Sequence, residues 1–381
     1  MKRLKVAVIG AGFAGLIFSN YLLKANIDVD LYEEHSKVGI PEHCTGIVSS
    51  LTSKLIGEAS KNNIIKKYTK LKIMAFNDSV EVFTKDDVIK LDRVKLENDL
   101  LNQFINNGGK AFLKSKVKEI NNNKILNKSY DAIIISDGVN GFLHKKYGLG
   151  FSGRTVYGIN QEFCFYDNEN SFEVKFDNKT SNNFFSWYVP LKDKVIIGTG
   201  AENPEMLMNA QKHAIKYFNL KSNPCHTYGG LIISGIKKAN IRNGKIIAIG
   251  DSIGLTKPLT GGGLFPNSLA AYLSYNLIKK EYNLIESIES SINFTLNILK
   301  KTNNLSIILH KNPMIVKEII EISKKSNLIE SMNRKIDYDF HNNLIENSLK
   351  DKNTYKFLLM FTSYYPISLF KLGIGLLRDL V

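Results

Sequence analysis

A glycine-rich segment near the start of the chain has the spacing of a dinucleotide-binding turn. Gly10, Gly12 and Gly15 directly follow the apolar run 6–9. Gly10 permits a tight turn, Gly12 lets the backbone approach a pyrophosphate, and Gly15 allows a helix to pack closely on the preceding strand. Because the free N–H groups at the start of that helix would point at the phosphates, the segment predicts a phosphate-binding site.

An acidic residue stands where such a site needs one. Glu33 follows the run 28–32, about 20 residues beyond the glycines, where a carboxylate can accept hydrogen bonds from both ribose hydroxyls. The same carboxylate would repel a 2′-phosphate, which disfavours NADP at this site. Glu34 is the alternative if the register shifts by one residue.

A second glycine-rich segment lies far along the chain, after the apolar run 246–249. It begins with Gly250 and Asp251 and continues through Pro258 to three glycines at 261–263. Asp251 is predicted to accept a hydrogen bond from a ribityl hydroxyl, and the bare backbone near the glycines to lie against an isoalloxazine ring. The following helix N-terminus would stabilise negative charge on that ring. Two such distant segments predict one large dinucleotide, FAD rather than NAD.

The elements that must position these residues can be predicted from periodicity. Short apolar runs at 4–9, 28–32 and 130–136 indicate buried parallel strands, whereas helical spacing indicates helices over 13–24 and 94–107. Strand, glycine turn, helix and strand form a βαβ unit.

The domain organisation follows from changes in pattern along the chain. Residues 1–150 and 236–285 are predicted to form a discontinuous FAD-binding domain. Alternating aromatic and polar residues across 151–235 predict an inserted antiparallel substrate domain, and 286–381 is predicted to be helical. The predicted fold class is α/β: a Rossmann-like (GR2-type) FAD-binding domain, an inserted antiparallel β-sheet domain and a helical C-terminal region.

Composition narrows the function classes. The formal net charge of +15 is spread along the 381 residues without a basic arm, which argues against nucleic-acid binding. Few cysteines favour a reducing cytoplasm and no disulfide framework, with Cys164 and Cys225 as core residues. The apolar tail 357–381 is broken by Pro366, so it predicts either a pair of core helices or a membrane-contacting tail.

Three segments carry motifs of a known flavoprotein family. Residues 33–46 contain an acid followed by Pro-x-x-Cys-x-Gly, residues 185–190 read Phe-Ser-Trp-Tyr-Val-Pro, and residues 250–263 join Gly-Asp to Pro-Leu-Thr-Gly-Gly-Gly. These segments resemble the geranylgeranyl reductase family, within the p-hydroxybenzoate-hydroxylase-type superfamily, with Val189 in place of a usual phenylalanine. The resemblance covers about residues 1–275.

Two further positions match the wider superfamily. Asp137 and Gly138 resemble its Asp-Gly segment at a strand end, with Gly141 in place of a usual serine. Arg93 matches an arginine that these folds place near the flavin, and the alternative for it is an ordinary surface ion pair.

The resemblance implies FAD-dependent saturation of C=C bonds in isoprenoid chains, such as those of archaeal ether lipids or prenyl quinones. It places Cys44 close to the isoalloxazine as proton donor or relay, or as a residue that only packs on the ring. Phe185 and Trp187 share one face of their strand, as a channel wall over the flavin or as sheet core, while Tyr188 faces the other way. The residues predicted to contact FAD are Gly10, Gly12, Ala14, Gly15, Glu33, Glu34, Cys44, Thr45, Gly46, Arg93, Val117, Asp137, Gly138, Asp251, Pro258, Gly261, Gly262, Gly263 and Leu264.

The expected partners are an isoprenoid lipid substrate, a transient electron donor (NADPH or ferredoxin) and, at the periphery, a membrane. The expected location is cytoplasmic, with or without peripheral membrane association. Two other functions stay open: a flavin monooxygenase or halogenase on the same fold, and a non-enzymatic isoprenoid-binding protein of the Rab GDP-dissociation-inhibitor kind. The intact glycines and acids of both segments argue against the last.

Overall fold

The computed structural model describes residues 3–165, 167, 169–341, 347, 348 and 350–380. The strands are β1 (Lys5–Ile9), β2 (Asp28–Tyr32), β3 (Ile47–Ser49), β4 (Ile64–Ala75), β5 (Asp78–Leu91), β6 (Lys110–Phe112), β7 (Lys124–Ile125), β8 (Lys128–Ser129), β9 (Ala132–Ile135), β10 (Gly150–Phe163), β11 (Ser171–Phe176), β12 (Ser186–Pro190), β13 (Val195–Ala201), β14 (His226–Asn240), β15 (Arg242–Asn243) and β16 (Ile246–Ala248). The helices are α1 (Phe13–Lys24), α2 (Ser50–Ile56), α3 (Glu58–Lys61), α4 (Arg93–Asn106), α5 (Leu143–Lys146), α6 (Pro204–Tyr217), α7 (Leu264–Lys279), α8 (Leu284–Lys300), α9 (Asn303–Lys311), α10 (Pro313–Lys325), α11 (Leu328–Met332), α12 (Lys352–Tyr364) and α13 (Pro366–Leu380), with a 3-10 turn at Gly250–Ile253.

The first sheet brings the two glycine-rich segments together. Its strand order is β15-β16-β9-β1-β2-β6, and β1 pairs in parallel with both β2 and β9. The apolar runs that predict these strands are buried in one continuous core. Since β16 also runs parallel to β9, the carboxyl ends of β1, β9 and β16 share one edge, where open α/β sheets bind their ligands. The predicted Rossmann-like domain is confirmed.

The second sheet has the order β14-β10-β13-β12-β11-β4-β5-β3. The predicted domain boundary at residue 150 therefore does not coincide with the start of this sheet, because β3, β4 and β5 come from the part of the chain assigned to the FAD-binding domain. β4 also pairs in parallel with β11, so the sheet is not wholly antiparallel. The sequence of β4 is rich in lysine because most of its residues are partly buried or exposed. No apolar run therefore marks it as a strand.

The C-terminal region is helical, as predicted, and covers one face of this second sheet. α9 packs against β14, and α10 packs against β4 and β5. α12 and α13 form an outer layer over α10 and α9. No helix in the described ranges combines the length and the apolarity needed to cross a bilayer.

The prediction for two of the cysteines is wrong. Cys164 and Cys225 are exposed and form a disulfide, with their Cα atoms 6.3 Å apart. They lie just beyond Glu162 and His226, the last paired residues of β10 and β14. Pairing of two distant strands brings them together, and their position past the strand ends leaves them outside the core.

Candidate functional site

The first glycine loop is built as a phosphate-binding turn. Gly10 has a φ of +101°, and a Cβ there would overlap the carbonyl oxygen of Ser136. A Cβ at Gly15 would overlap the carbonyl oxygen of Gly10, so α1 packs directly on the turn. A Cβ at Gly12 would meet no atom within 4 Å, which leaves open space at the N-terminus of α1. That space is where the helix N–H groups can receive a pyrophosphate.

The structure separates the two candidate acids. Glu33 Oε2 accepts a hydrogen bond from the Ala11 N–H at 2.7 Å, which fixes its carboxylate beside the glycine turn. Its other oxygen accepts from the His35 N–H at 2.9 Å. Glu34 instead forms an ion pair with Lys116 at 2.6 Å, away from the turn. Glu33 is therefore the acid beside the glycine turn, and its contact with a ribose stays a prediction because it does not line the cavity described below.

A cavity of about 820 Å³ begins at this loop and extends to the C-terminal helices. The end of the cavity beside the first glycine turn is here called the FAD end. It is lined by residues of both glycine-rich segments and of the loop around Cys44. The predicted residues found there are Gly12, Ala14, Cys44, Thr45, Gly46, Arg93, Gly138, Asp251, Gly261, Gly262, Gly263 and Leu264. The fold thus brings together most of the positions predicted to contact FAD.

Arg93 is a buried cation at this end of the cavity. The Asp92 side chain caps α4 by accepting from the Lys95 N–H at 3.0 Å, which places Arg93 at the first turn. Arg93 is ion-paired with Glu97 inside the protein. Burial alone would lower the pKa of Arg93, but the Glu97 carboxylate and the Cys44 sulfur outweigh it and raise that pKa above its ordinary value. Arg93 is therefore a fixed cation next to Cys44 and not a surface ion pair.

The loop carrying Cys44 is folded tightly against α4. The Gly46 N–H donates to Cys44 Sγ at 3.3 Å, and a Cβ at Gly46 would lie 2.9 Å from Cγ of Arg93. Across the cavity end, burial raises the pKa of the Asp251 carboxyl, although the Arg93 and His43 side chains act in the opposite direction. His43 is exposed and lines the cavity.

Asn160 is a site residue that the sequence did not reveal. Its Oδ1 accepts from the Thr45 hydroxyl at 3.0 Å and from Trp187 Nε1 at 2.9 Å. One buried amide oxygen therefore ties the Cys44 loop to the aromatic strand β12. The available signal was an amide that alternates with Val156 and Gly158 on the inward face of β10, where a buried polar group needs partners.

The aromatic wall has the predicted arrangement of faces. Phe185 and Trp187 line the cavity with their ring centroids 5.7 Å apart. Tyr188 points to the other side of the sheet, where its ring stacks on Phe218 at 4.9 Å. A Cβ at Gly198 would overlap the indole of Trp187, so this glycine gives the ring its space.

His310 connects the helical region to the second glycine-rich segment, and no motif pointed to it. Its ring stacks on Phe176 and lies at tilted angles to Phe184 and Phe185. Burial lowers its pKa to about 3, and the neighbouring Arg154 cation acts in the same direction. Because Arg154 can only donate to Nδ1, the Nε2–H donates to the Leu259 carbonyl at 2.9 Å. The neutral ring fixes one side of the loop before the three glycines.

Other predicted residues do not line the cavity. Asp137 accepts from the Leu143 N–H at 2.8 Å and from the His144 ring at 2.7 Å, so it holds α5. Its carboxylate fills the space that a Cβ at Gly141 would need, which explains the missing serine. Val117 is buried in the core of the first domain, and the Pro258 carbonyl accepts from Ser234. Direct contact of Glu34, Val117, Asp137 and Pro258 with FAD stays a prediction.

Unpaired polar atoms at this end of the cavity support FAD binding independently of the sequence motifs. Among the described residues, three that line it each carry a buried side-chain atom without a hydrogen-bond partner: Arg93 Nε, Thr260 Oγ1 and Asn267 Oδ1. Buried polar atoms are almost always paired, so these point to a polar ligand. A donor, a hydroxyl and an acceptor match the polar edge of a flavin and its ribityl chain, while Gly12 leaves room for the pyrophosphate.

Fold and site together define the class of the protein, an FAD-dependent oxidoreductase. The family model described as pyridine nucleotide-disulphide oxidoreductase matches residues 4–142. The chain is 24% identical over 298 residues to the digeranylgeranylglycerophospholipid reductase of Methanococcus vannielii, covering 68% of this chain and 72% of that protein.

Solved structures share the fold at low identity. A geranylgeranyl bacteriochlorophyll reductase-like protein from Thermoplasma acidophilum matches with a TM-score of 0.74 and 15% identity, over 98% of this chain and all of that one (100%). A variant of a flavin-dependent brominase matches with a TM-score of 0.68 and 11% identity, over 94% and 98% of the two chains. These similarities confirm the resemblance to geranylgeranyl reductases predicted from the motifs.

Proposed function

We propose that this protein uses FAD to saturate C=C bonds in the isoprenoid chain of a lipid. The observation that carries the proposal is the apolar character of the cavity beyond its FAD end. That part is walled by strands of the second sheet and by the C-terminal helices. Its lining residues include Leu71, Ile73, Val80, Val82, Phe172, Val174, Phe176, Leu309, Val316, Ile319, Ile320, Phe357, Leu372 and Leu376.

The shape of this cavity suits a long hydrocarbon chain. Burial of each CH₂ group of such a chain is worth about 0.8 kcal/mol relative to water. A lipid in a bilayer is already out of water, so its extraction requires a continuous apolar path rather than a single apolar pocket. The lining provides such a path from the C-terminal helices to Cys44 and Trp187.

The residues around the cavity end supply what reduction of an isolated alkene requires. When bound and reduced, FAD supplies hydride to one carbon of the double bond. Cys44 lies where it can hold a proton for the other carbon or relay one, and Phe185 and Trp187 exclude water from the same space. Asn160 keeps the Cys44 loop and Trp187 at a fixed separation.

Product mass tests the proposal directly. Protein loaded with FAD and reduced by light under anaerobic conditions is expected to convert a geranylgeranyl lipid into species carrying two more hydrogen atoms for each saturated bond. Photoreduction bypasses the natural electron donor, for which NADPH and ferredoxin are both proposals. The control is the same protein kept oxidised. Unchanged lipid mass across several prenyl substrates, with fully reduced FAD, would contradict the proposal.

The shared fold of the brominase supports a second function, that of a flavin monooxygenase or halogenase. Trp187 is the single tryptophan of the chain, whereas the halogenase motif carries two. Oxygen-dependent consumption of NADPH with a hydroxylated or halogenated product would favour this second function.

An anionic membrane surface is the proposed place where the lipid enters. Leu372 and Leu376 of α13 line the cavity from inside. Six large apolar side chains on the outer sides of α12 and α13, here called the outer apolar face, are between 57% and 72% exposed: Tyr355, Leu359, Tyr364, Ile367, Phe370 and Leu377. The exposed basic residues of the same helices are Lys352, Lys356, Lys371 and Arg378. Apolar and basic side chains on one surface helix are typical of attachment to anionic bilayers.

Vesicle binding tests this surface. The double substitution Ile367→Glu and Phe370→Glu is expected to weaken binding to phosphatidylglycerol vesicles at least tenfold, because it places charge where apolar side chains would enter the bilayer. Reduction of substrate in detergent micelles should stay within about twofold of the original rate, since neither residue lines the cavity. Met208→Glu, at an exposed position of α6, is the matched control. Equal binding by both variants would exclude the outer apolar face as the attachment site.

A further inference from the structure

Lys257 is a buried cation directly beneath the three-glycine turn. Its side chain is 3% exposed, although it belongs to a loop that lines the cavity. The Lys257 N–H donates to the Gly262 carbonyl at 3.0 Å, and the Gly261 N–H donates to the Lys257 carbonyl at 2.8 Å. A Cβ at Gly262 would lie 2.9 Å from Cε and 3.4 Å from Nζ of Lys257. The ammonium group is therefore adjacent to the backbone that faces the FAD end.

The partner of this lysine comes from the C-terminal region. Asp339, with a side chain 1% exposed, forms an ion pair with Lys257 through Oδ1. Its Oδ2 accepts from the Ser49 N–H at 2.7 Å and from the Thr52 hydroxyl at 2.5 Å. Burial would raise the pKa of Asp339, but the Lys257 cation and these hydrogen bonds hold it below its ordinary value. The carboxylate is thus fixed between the second glycine-rich segment and the start of α2.

Stability alone is a poor reason for this arrangement. Taking two charges out of water costs about as much free energy as their attraction returns, and apolar pairs of similar volume often serve as well. Lys257 lines the reaction cavity and Asp339 lies behind it, so the charge of Lys257 acts on the cavity through a low dielectric. A fixed charge beside the ring-binding turn has an electrostatic use there, because a reduced flavin carries negative charge.

We propose that Lys257 stabilises the reduced form of bound FAD and that Asp339 moderates this effect by partly neutralising the ammonium. Lys257 is then an electrostatic residue of the site, and the C-terminal region contributes to the redox balance of the cofactor. This inference rests on FAD binding and not on the identity of the substrate. It can therefore fail while the proposed reduction of lipids holds, and the reverse is also true.

The test is the midpoint potential of bound FAD at pH 7, measured for Lys257→Met and Asp339→Asn. Loss of the cation should weaken binding of reduced relative to oxidised FAD about tenfold, which corresponds to about 30 mV downward for a two-electron couple. Loss of the carboxylate should raise the potential by about 30 mV, because the ammonium is no longer partly neutralised. Opposite signs cannot result from general loosening of the fold, which both variants share.

A matched control exists in the second sheet. Lys175 is equally buried, pairs with Asp177 at 3.6 Å and lies against the ring of Tyr217, much as Lys257 lies against Tyr338. Lys175→Met and Asp177→Asn should lower thermal stability without moving the potential. If Lys257→Met does not retain FAD, Asp339→Asn decides by itself. An unchanged or lowered potential in that variant, or equal shifts in the control pair, would overturn the proposal.

Discussion

Gly12→Val is expected to deprive the protein of FAD without unfolding it. The backbone at Gly12 has φ −71° and ψ 178°, which any residue can adopt, and a Cβ there meets no protein atom within 4 Å. The added methyl groups would instead occupy the space for the pyrophosphate. FAD affinity should fall at least 100-fold, about 2.7 kcal/mol, while the free energy of unfolding of the FAD-free protein falls by only about 1 kcal/mol, because valine is a poorer N-cap of α1 than glycine. Calorimetric titration with FAD and thermal unfolding measure the two quantities.

Two other glycines give this prediction its controls. Gly373 in α13 also has no atom within 4 Å of a Cβ, so Gly373→Val should keep FAD. Gly15→Val should destabilise the fold itself, since its Cβ would overlap the Gly10 carbonyl oxygen. Normal FAD affinity in the Gly12 variant would show that the cofactor does not lie over the N-terminus of α1.

Cys44→Ala is expected to keep FAD and to lose most of the turnover. The Gly46 N–H loses a weak acceptor and Arg93 loses its interaction with the Cys44 sulfur, but Arg93 retains its ion pair with Glu97, so the cofactor end stays intact. Removal of a positioned proton donor should slow oxidation of the reduced enzyme by a prenyl substrate by a factor on the order of 100. Anaerobic stopped-flow measurement of flavin absorbance follows this step.

Val174→Ala is the matched control for the loss of volume. Val174 lines the cavity from β11 but carries no proton, so its truncation should change the rate only slightly. Cys44→Ser should fall between the two. Unchanged oxidation of the alanine variant would remove Cys44 from the chemistry and leave it as a packing residue.

The FAD half of the molecule could be predicted from the sequence because its signals are local. Helix α1 begins at Phe13 and ends at Lys24 as predicted, since the glycine turn and the apolar run fix both neighbours of the helix. Glu33 follows at a distance set by the βαβ unit. Such patterns require no knowledge of what the rest of the chain does.

The remaining features depend on contacts between distant segments, which periodicity does not encode. Strand β4 is rich in lysine and joins a sheet formed largely by residues 150–240. The hydrogen bonds of Asn160 and the disulfide between Cys164 and Cys225 can form only once β10 has paired with its neighbouring strands. The pairing of Lys257 with Asp339 joins two segments that no motif connects.

Different parts of the chain form the FAD end and the apolar wall of the cavity. The two glycine-rich segments predicted to bind FAD follow strands of one sheet, whereas most of the wall proposed to hold the hydrocarbon comes from another sheet and from helices α9 to α13. Changes at Val316, Ile320 or Leu372 would alter the length and bulk of the bound molecule without touching a residue of the FAD end. Natural variation can therefore redirect such a catalyst to new substrates while its redox chemistry is inherited unchanged, and a protein engineer can use the same separation.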